Sequence, residues 1–91
     1  MSTNETILIV DDSRDNLLVM KKVLQKALPD VTVVTCQHSD KALALLRDTD
    51  VALALLDVQM PDIDGLELCK RIKSNADTQS VSVILITSHG A

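Results

Sequence analysis

The stretch that decides the fold is ILIVDD, residues 7–12. Its four consecutive apolar residues, three of them β-branched, are too few for a buried helix, so they predict a strand that is covered on both faces. Two adjacent carboxylates, Asp11 and Asp12, end this strand. Strands that are apolar on both faces belong to parallel sheets packed between helices, and the stretch therefore predicts a strand of such a sheet.

Outward from this strand, short apolar runs alternate with amphipathic stretches. Three further strands are predicted, over residues 31–35, 51–56 and 81–86. Three helices are predicted between them: one from an N-cap at Ser13 to a stop at Pro29, one from a cap at Ser39 to Arg47, and one over residues 66–73. The resulting order, βαβαβαβ, predicts an α/β fold in which a parallel sheet is doubly wound, with helices on both faces.

The composition limits the partners that the protein can have. The 91 residues predict one domain, residues 1–91, with a formal net charge of −4 and no aromatic residue. Direct nucleic-acid binding is disfavoured, because it needs clustered Lys and Arg or aromatic surfaces for stacking. The N-terminus lacks a leader-like apolar segment and no apolar run could span a bilayer, so we expect a cytoplasmic protein without a membrane partner.

Polar side chains follow three of the four predicted strands, at the point where each strand ends. Asp11 and Asp12 follow the first strand, Asp57 the third and Thr87 the fourth. If the first strand lies beside the third, and the third beside the fourth, these side chains meet at the carboxyl edge of the sheet, where open parallel sheets form their sites. A single Asp after a strand is usually a turn or cap residue, but that interpretation accounts poorly for the whole set.

Three neighbouring carboxylates repel one another unless a cation lies among them. Mg²⁺ prefers oxygen ligands, and it binds through one or two carboxylates, waters and phosphate oxygens. Such an ion would screen Asp57 and allow its carboxylate to attack a phosphoryl group. Thr87 could then donate its hydroxyl to a phosphoryl oxygen. The pattern therefore predicts Mg²⁺-dependent phosphoryl chemistry at this edge.

Three stretches of the sequence resemble a known family in the right order. ILIVDD at residues 7–12, together with Asn16, resembles the first strand of receiver domains of bacterial two-component response regulators. LLDVQMPDIDG at residues 55–65 resembles their D-x-x-M-P-x-x-D-G phosphoacceptor loop, and VILITS at residues 83–88 is similar to their fourth strand. The resemblance spans nearly the whole chain and implies a flavodoxin-like sheet of strand order 2-1-3-4.

The resemblance also implies roles for individual residues in a phosphorelay. Asp57 would accept a phosphoryl group from a histidine kinase, a phosphotransfer protein or a small phosphodonor, and Thr87 would act as the switch hydroxyl. The ligands of Mg²⁺ would be Asp11, Asp12, Asp57 and the backbone carbonyl of Gln59. The loop would be shaped by Met60, Pro61 and Gly65, the last by allowing close helix packing or an unusual backbone angle.

The sequence departs from the family pattern at its C-terminal end. Family members continue with a fourth helix, a fifth strand and a fifth helix, so the resemblance implies a C-terminally truncated, partial receiver domain. Their fifth strand carries a catalytic Lys, and no Lys of this sequence lies at an equivalent position. The fourth strand would then be an exposed apolar edge, and we expect self-association through it.

Two other interpretations remain open at this point. The chain could be a receiver-like interaction or dimerisation module, or an engineered piece of a longer protein, that is not phosphorylated because the Lys is absent. It could instead be an enzyme with an aspartyl intermediate, like the haloacid-dehalogenase-like phosphatases. That class needs a second acid two residues after the nucleophile, whereas position 59 is Gln59, so a signalling module that is not an enzyme is the expectation.

Overall fold

The computed structural model describes residues 5–87, which form four strands and three helices. The strands are β1 (Thr6–Val10), β2 (Thr32–Cys36), β3 (Leu53–Asp57) and β4 (Ser82–Ile86). The helices are α1 (Arg14–Ala27), α2 (Ser39–Asp48) and α3 (Gly65–Ser74). The elements alternate along the chain as βαβαβαβ, and this confirms the predicted order.

The four strands form one sheet in the order β2-β1-β3-β4, and every pair of neighbours is parallel. The predicted doubly wound sheet of order 2-1-3-4 is therefore confirmed. Val10 pairs with Leu56 across β1 and β3, and Asp57 pairs with Ile86 across β3 and β4. This register aligns the carboxyl ends of β1, β3 and β4 at one edge of the sheet.

Alternate residues of the strands enter two separate cores, one on each face of the sheet. One core contains Ile7 and Ile9 of β1, and Leu17 of α1 packs with them. The other contains Leu8 and Val10, with side chains of α2 and α3 over them. The period of two along a strand explains this division, and burial on both faces accounts for the unbroken apolar run from Ile7 to Val10.

Helix α1 begins and ends where the sequence predicts. The Ser13 side chain accepts a hydrogen bond from the backbone N–H of Asn16, which satisfies one of the free N–H groups of the first turn. The helix ends at Ala27, two residues before Pro29. In the part of the chain from residue 5 to residue 87, no helix has the length and apolar character to cross a bilayer.

Helix α3 is joined to β4 by a turn that the sequence did not predict in detail. Asp64 caps the helix by accepting from the N–H of Glu67, as the capping-box pattern predicts. Beyond the helix, the fully buried Thr78 donates its hydroxyl to the carbonyl of Ile72 at 2.7 Å. The bond ties the turn to the last turn of α3 and fixes where β4 enters the sheet.

Several predicted boundaries were wrong by a few residues, and one predicted cap was wrong. Strand β3 begins at Leu53 and not at 51, because its register with β1 starts at the pair Ile7 and Leu53. Ser39 was predicted as the cap of α2, but the N-cap is His38, and Ser39 is the first helical residue. The Ser39 hydroxyl accepts from the N–H of Ile63 in another loop, so tertiary contact replaces the local bond.

Candidate functional site

Three carboxylates meet at the carboxyl edge of the sheet. Asp11 follows β1, Asp12 is next to it, and Asp57 ends the neighbouring strand β3. One carboxylate oxygen from each residue lies within 4.8 Å of the others. Asp11 and Asp57 are each only 2% exposed, whereas Asp12 is open to solvent. The predicted convergence of these side chains is therefore present in the structure.

Asp11 is held in place by the start of α1. Its Oδ1 accepts from the N–H of Ser13 at 2.9 Å, and its Oδ2 lies 3.5 Å from the side-chain amide of Asn16. Burial raises the pKa of Asp11 above its ordinary value, and the charges of Asp57 and Asp12 raise it further, while the two hydrogen bonds lower it. The ionised form of Asp11 is therefore destabilised unless a cation lies beside it.

Asp57 is oriented by the loop that follows it. The N–H of Gln59 donates to Oδ1 of Asp57 at 3.1 Å. Val58, the residue directly after Asp57, donates its N–H to the carbonyl of Ile86 at 2.9 Å. This bond continues the β3–β4 pairing beyond the strand. These two bonds set the direction of the Asp57 carboxylate relative to the edge of the sheet.

The donor set suits a hard divalent cation such as Mg²⁺. All the candidate ligands are oxygens, and buried like-charged carboxylates of this kind are stabilised by a cation among them. Gln59 lines the same open cleft as Asp12 and Asp57, with a volume of about 710 Å³. The cleft has room for an ion, its waters and a phosphoryl group. The oxygens of Asp11, Asp12 and Asp57 therefore fit the Mg²⁺ that the resemblance implies, and Gln59 lies at the same cleft.

Thr87 lies at the same edge of the sheet, directly after β4. It lines a smaller adjoining cavity of about 280 Å³, together with Asp11 and Asn16. The preceding residue, Ile86, is paired with Asp57 in the sheet. The structure thus brings Thr87 next to the acidic cluster, as the strand-end pattern predicts.

Gly65, at the start of α3, is required by a close approach of backbones. A Cβ atom at this position would overlap the carbonyl oxygen of Asp57 and would lie 2.9 Å from the carbonyl carbon of that residue and 3.0 Å from Cα of Val58. Gly65 has no positive φ angle. Of the two predicted reasons for a glycine, close packing is therefore confirmed and an unusual backbone angle is wrong.

The other two loop-shaping residues differ in their exposure. Met60 is buried in the core beneath α2 and α3, whereas Pro61 is exposed. Since Met60 anchors the loop from below, the loop of residues 58–64 is fixed at both its start and its middle. This loop, named the β3–α3 loop here, supplies Gln59 to the cleft.

Sequence reasoning missed two side chains that contact the loops of the site. Gln37, after β2, donates its side-chain amide to the carbonyl of Asp12 at 3.2 Å. Ser39 accepts from the N–H of Ile63 in the β3–α3 loop, also at 3.2 Å. The signal was available, because β2 also ends at the carboxyl edge of the sheet and is also followed by polar residues.

Comparison with known proteins gives the same assignment as the fold and the acidic cluster. The family model described as the response regulator receiver domain matches residues 7–91. The N-terminal domain of a response regulator receiver protein from Methanoculleus marisnigri superimposes with a TM-score of 0.85 at 31% identity, over 94% of this chain and 68% of that one.

Two curated relatives are similar along most of this sequence. Stress response regulator protein 1 of Debaryomyces hansenii is 38% identical over 81 residues, which are 89% of this chain and 34% of that protein. The signal transduction histidine-protein kinase BarA of Escherichia coli is 31% identical over 84 residues, 92% of this chain and 9% of that protein. The chain thus spans about a third or less of these relatives, and it belongs to the response regulator receiver domain family of two-component signalling.

Proposed function

We propose that this chain is a phosphoacceptor module in which Asp57 takes a phosphoryl group in a Mg²⁺-dependent reaction. The observation that carries the proposal is the convergence of Asp11, Asp12 and Asp57, with oxygens within 4.8 Å of one another at the carboxyl edge of the sheet. Membership of the receiver family supports the same role, because phosphoryl acceptance on this aspartate is what the family motif implies.

The chemical step follows from the position of Asp57. A carboxylate oxygen of Asp57 attacks the phosphorus of a phosphohistidine, forming a P–O bond while the P–N bond breaks. The imidazole leaves with the electron pair of that bond and takes up a proton. The product is an acyl phosphate on Asp57, and the bond from the Gln59 N–H keeps the carboxylate aligned for the attack.

Asp11, Asp12, Asp57 and the backbone carbonyl of Gln59 are the proposed ligands of the ion. When bound, Mg²⁺ would neutralise the charge that develops on the phosphoryl oxygens and would offset the repulsion between the carboxylates. Asp12 is the most exposed of the three acids, so it is the ligand that solvent and an incoming phosphodonor reach first.

Thr87 is the proposed switch hydroxyl. It follows β4 and lies beside the acidic cluster, so its hydroxyl could donate to an oxygen of the new phosphoryl group. Such a bond would couple phosphorylation of Asp57 to the position of Thr87 at the end of β4. The phosphodonor is a histidine kinase or a phosphotransfer protein. The similarity to a histidine-protein kinase supports this partner class.

The proposal is tested by phosphorylation of the purified 91-residue chain. Acetyl phosphate with Mg²⁺ should add the mass of one phosphoryl group, which intact-mass spectrometry detects, and beryllofluoride should bind in the same conditions. Asp57→Asn should abolish the added mass. Asp62→Asn, an exposed acid in the same loop, should retain it.

Two results would overturn the proposal. One is a chain that binds Mg²⁺ yet gains no mass from acetyl phosphate or from a panel of phosphorylated histidine donors. The other is a gain in mass that persists in Asp57→Asn. The first result would instead favour an interaction module that keeps the fold without phosphoryl transfer.

We also propose that the 91-residue chain self-associates through β4. Within the described residues β4 pairs with β3 alone, and two of its large apolar side chains are exposed, Ile84 by 49% and Leu85 by 37%. An unpaired strand edge with apolar side chains favours pairing with a second copy.

Sedimentation velocity tests this association. The chain should form a dimer whose fraction rises with concentration in the micromolar range, and Ile84→Lys should shift it to the monomer. Lys22→Ala, at an exposed position on α1, serves as a control that should leave the dimer unchanged. A folded monomer at high micromolar concentration would rule the association out.

A further inference from the structure

The turn between β2 and α2 lies at the same edge of the sheet as the acidic cluster. Val10 pairs with Cys36, and the N–H of Asp11 donates to the carbonyl of Cys36 at 3.1 Å, so the end of β2 is directly beside the end of β1. The residues that follow, from Gln37 to Ser39, are therefore within reach of the loops that carry the candidate metal ligands.

Gln37 contacts the first of these loops. Its Nε2 donates to the backbone carbonyl of Asp12 at 3.2 Å. Side-chain hydrogen bonds hold the other two acids, Asp11 through Ser13 and Asp57 through Gln59. Within residues 5–87, the side chain of Asp12 makes no such hydrogen bond. The position of Asp12 therefore depends on its backbone, and Gln37 is the side chain from another segment that restrains it.

Ser39 contacts the second loop. It is 3% exposed, and its hydroxyl accepts from the N–H of Ile63 at 3.2 Å, across 24 positions of the chain. Ile63 lies near the end of the β3–α3 loop, whose start is tied to β4 by Val58. The Ser39 bond thus restrains the far side of the loop that presents Gln59 to the cleft.

The two contacts belong to one arrangement, because all three segments line a single small cavity. This cavity has a volume of about 260 Å³, and its walls include Asp12 from the first loop, His38 and Ser39 from the turn, and Met60 and Asp62 from the β3–α3 loop. The β2–α2 turn therefore stands between the two loops and is hydrogen-bonded to both.

We infer that Gln37 and Ser39 are positioning residues for the metal site: they hold the Asp12 and Gln59 loops at the separation that a shared cation needs. The inference rests on the proposed Mg²⁺ site. Neither side chain is a proposed ligand of the ion. They restrict the motion of the two loops in the metal-free protein, so that less conformational entropy is lost when the ion binds. Residues that hold the direct ligands of a metal raise the affinity of a site for the metal in this way.

The test compares Mg²⁺ affinity with the stability of the metal-free protein. Isothermal titration calorimetry gives the Kd for Mg²⁺, and circular dichroism in EDTA gives the Tm, since the chain has no aromatic residue for fluorescence. Gln37→Met, which keeps the length of the side chain and removes the donor, should raise the Kd roughly three- to tenfold. Its Tm in EDTA should stay close to that of the wild type, because Gln37 is only half-buried and Met fills a similar volume.

Ser39→Ala should raise the Kd by a similar factor, and it should also speed hydrogen exchange of the Ile63 amide, because that N–H loses its acceptor. Ser39→Thr, which keeps the hydroxyl, should restore both the affinity and the protection. The matched controls are Gln25→Met on the exposed face of α1 and Ser80→Ala in the exposed α3–β4 turn. Both controls should bind Mg²⁺ with the wild-type Kd.

The outcomes separate this inference from the proposed function. A wild-type chain that does not bind Mg²⁺ refutes the proposed metal site itself. A wild-type chain that binds, with a Gln37→Met variant of unchanged Kd, overturns the positioning role while the metal site stands. Gln37→Met decides the question even if Ser39→Ala fails to fold, and an unchanged Kd in a folded Ser39→Ala removes Ser39 from the arrangement.

Discussion

Gly65 lies where helix α3 starts, against the backbone of Asp57 and Val58. Gly65→Ala should lower the free energy of unfolding by about 1–3 kcal/mol, although Ala normally favours a helix over Gly. The reason is that the atoms in the way are backbone atoms, which cannot move aside as a flexible side chain would. Urea unfolding followed by circular dichroism measures the change, and Lys70→Ala on the exposed face of α3 is the control. A Gly65→Ala variant as stable as the wild type would contradict the close approach.

The buried Asp11 carboxyl has a pKa above its ordinary value, and the direction of this shift sets a pH dependence. Since burial raises the pKa above that of the unfolded chain, the folded state holds the proton more tightly. The metal-free protein should therefore lose stability as the pH rises from the unfolded pKa through the higher folded pKa. Asp11→Asn should lack this loss and should be more stable than the wild type at pH 7 in EDTA.

Urea midpoints between pH 4 and pH 8, measured in EDTA, test this expectation. Asp30→Asn, an exposed acid in the turn after α1, is the control and should follow the wild-type pH profile. An Asp11→Asn variant that is less stable than the wild type at neutral pH would mean that the hydrogen bonds of the Asp11 carboxylate outweigh its burial and repulsion.

At the scale of the element, the α3–β4 turn shows how one buried side chain sets where a strand begins. The hydroxyl of Thr78 donates to the carbonyl of Ile72, and the Thr78 carbonyl accepts from the N–H of Val81. Thr78→Val keeps the shape and leaves the Ile72 carbonyl without this donor in a buried setting. It should lower the free energy of unfolding by about 1–2 kcal/mol.

The same unfolding experiment on Thr32→Val provides the comparison. Thr32 is an exposed strand residue, so its substitution should change stability by about 0.5 kcal/mol or less. Equal effects at the two positions would mean that the Thr78 hydroxyl contributes no more to stability than the methyl group that replaces it in valine.

At the scale of the whole molecule, Mg²⁺ should act on folding, because only the folded chain brings the three carboxylates together. At a free Mg²⁺ concentration of 100 times the Kd, linkage should raise the free energy of unfolding by about 2.7 kcal/mol. Asp12→Asn, which changes an exposed proposed ligand, should remove most of this gain. Asp62→Asn should keep it. Thermal unfolding at a series of Mg²⁺ concentrations gives the answer, and a Tm that does not depend on Mg²⁺ would contradict the site.

How far the sequence predicts the fold varies with the range of the interactions involved. Runs such as residues 7–10 and the cap at Asp64 were predicted correctly, because apolar periodicity and capping act over a few neighbouring residues. Ser39 was assigned as a cap by the same local rule, and that assignment was wrong because its hydroxyl serves a loop 24 positions away. The observed ends of the strands differ from the predicted ends by one or two residues. The reason is again tertiary, because the neighbouring strands, and not the apolar run itself, decide where pairing starts.

The sequence by itself determined the alternation of strands and helices and the chemical identity of the residues at the strand ends. Only the tertiary structure decided the register that places the end of β1 level with the end of β3, which of the two reasons for a glycine holds at Gly65, and that Gln37 and Ser39 reach the two loops. The physical reason is that element type depends on local periodicity, whereas register and loop contacts depend on packing summed over segments that are distant in the chain.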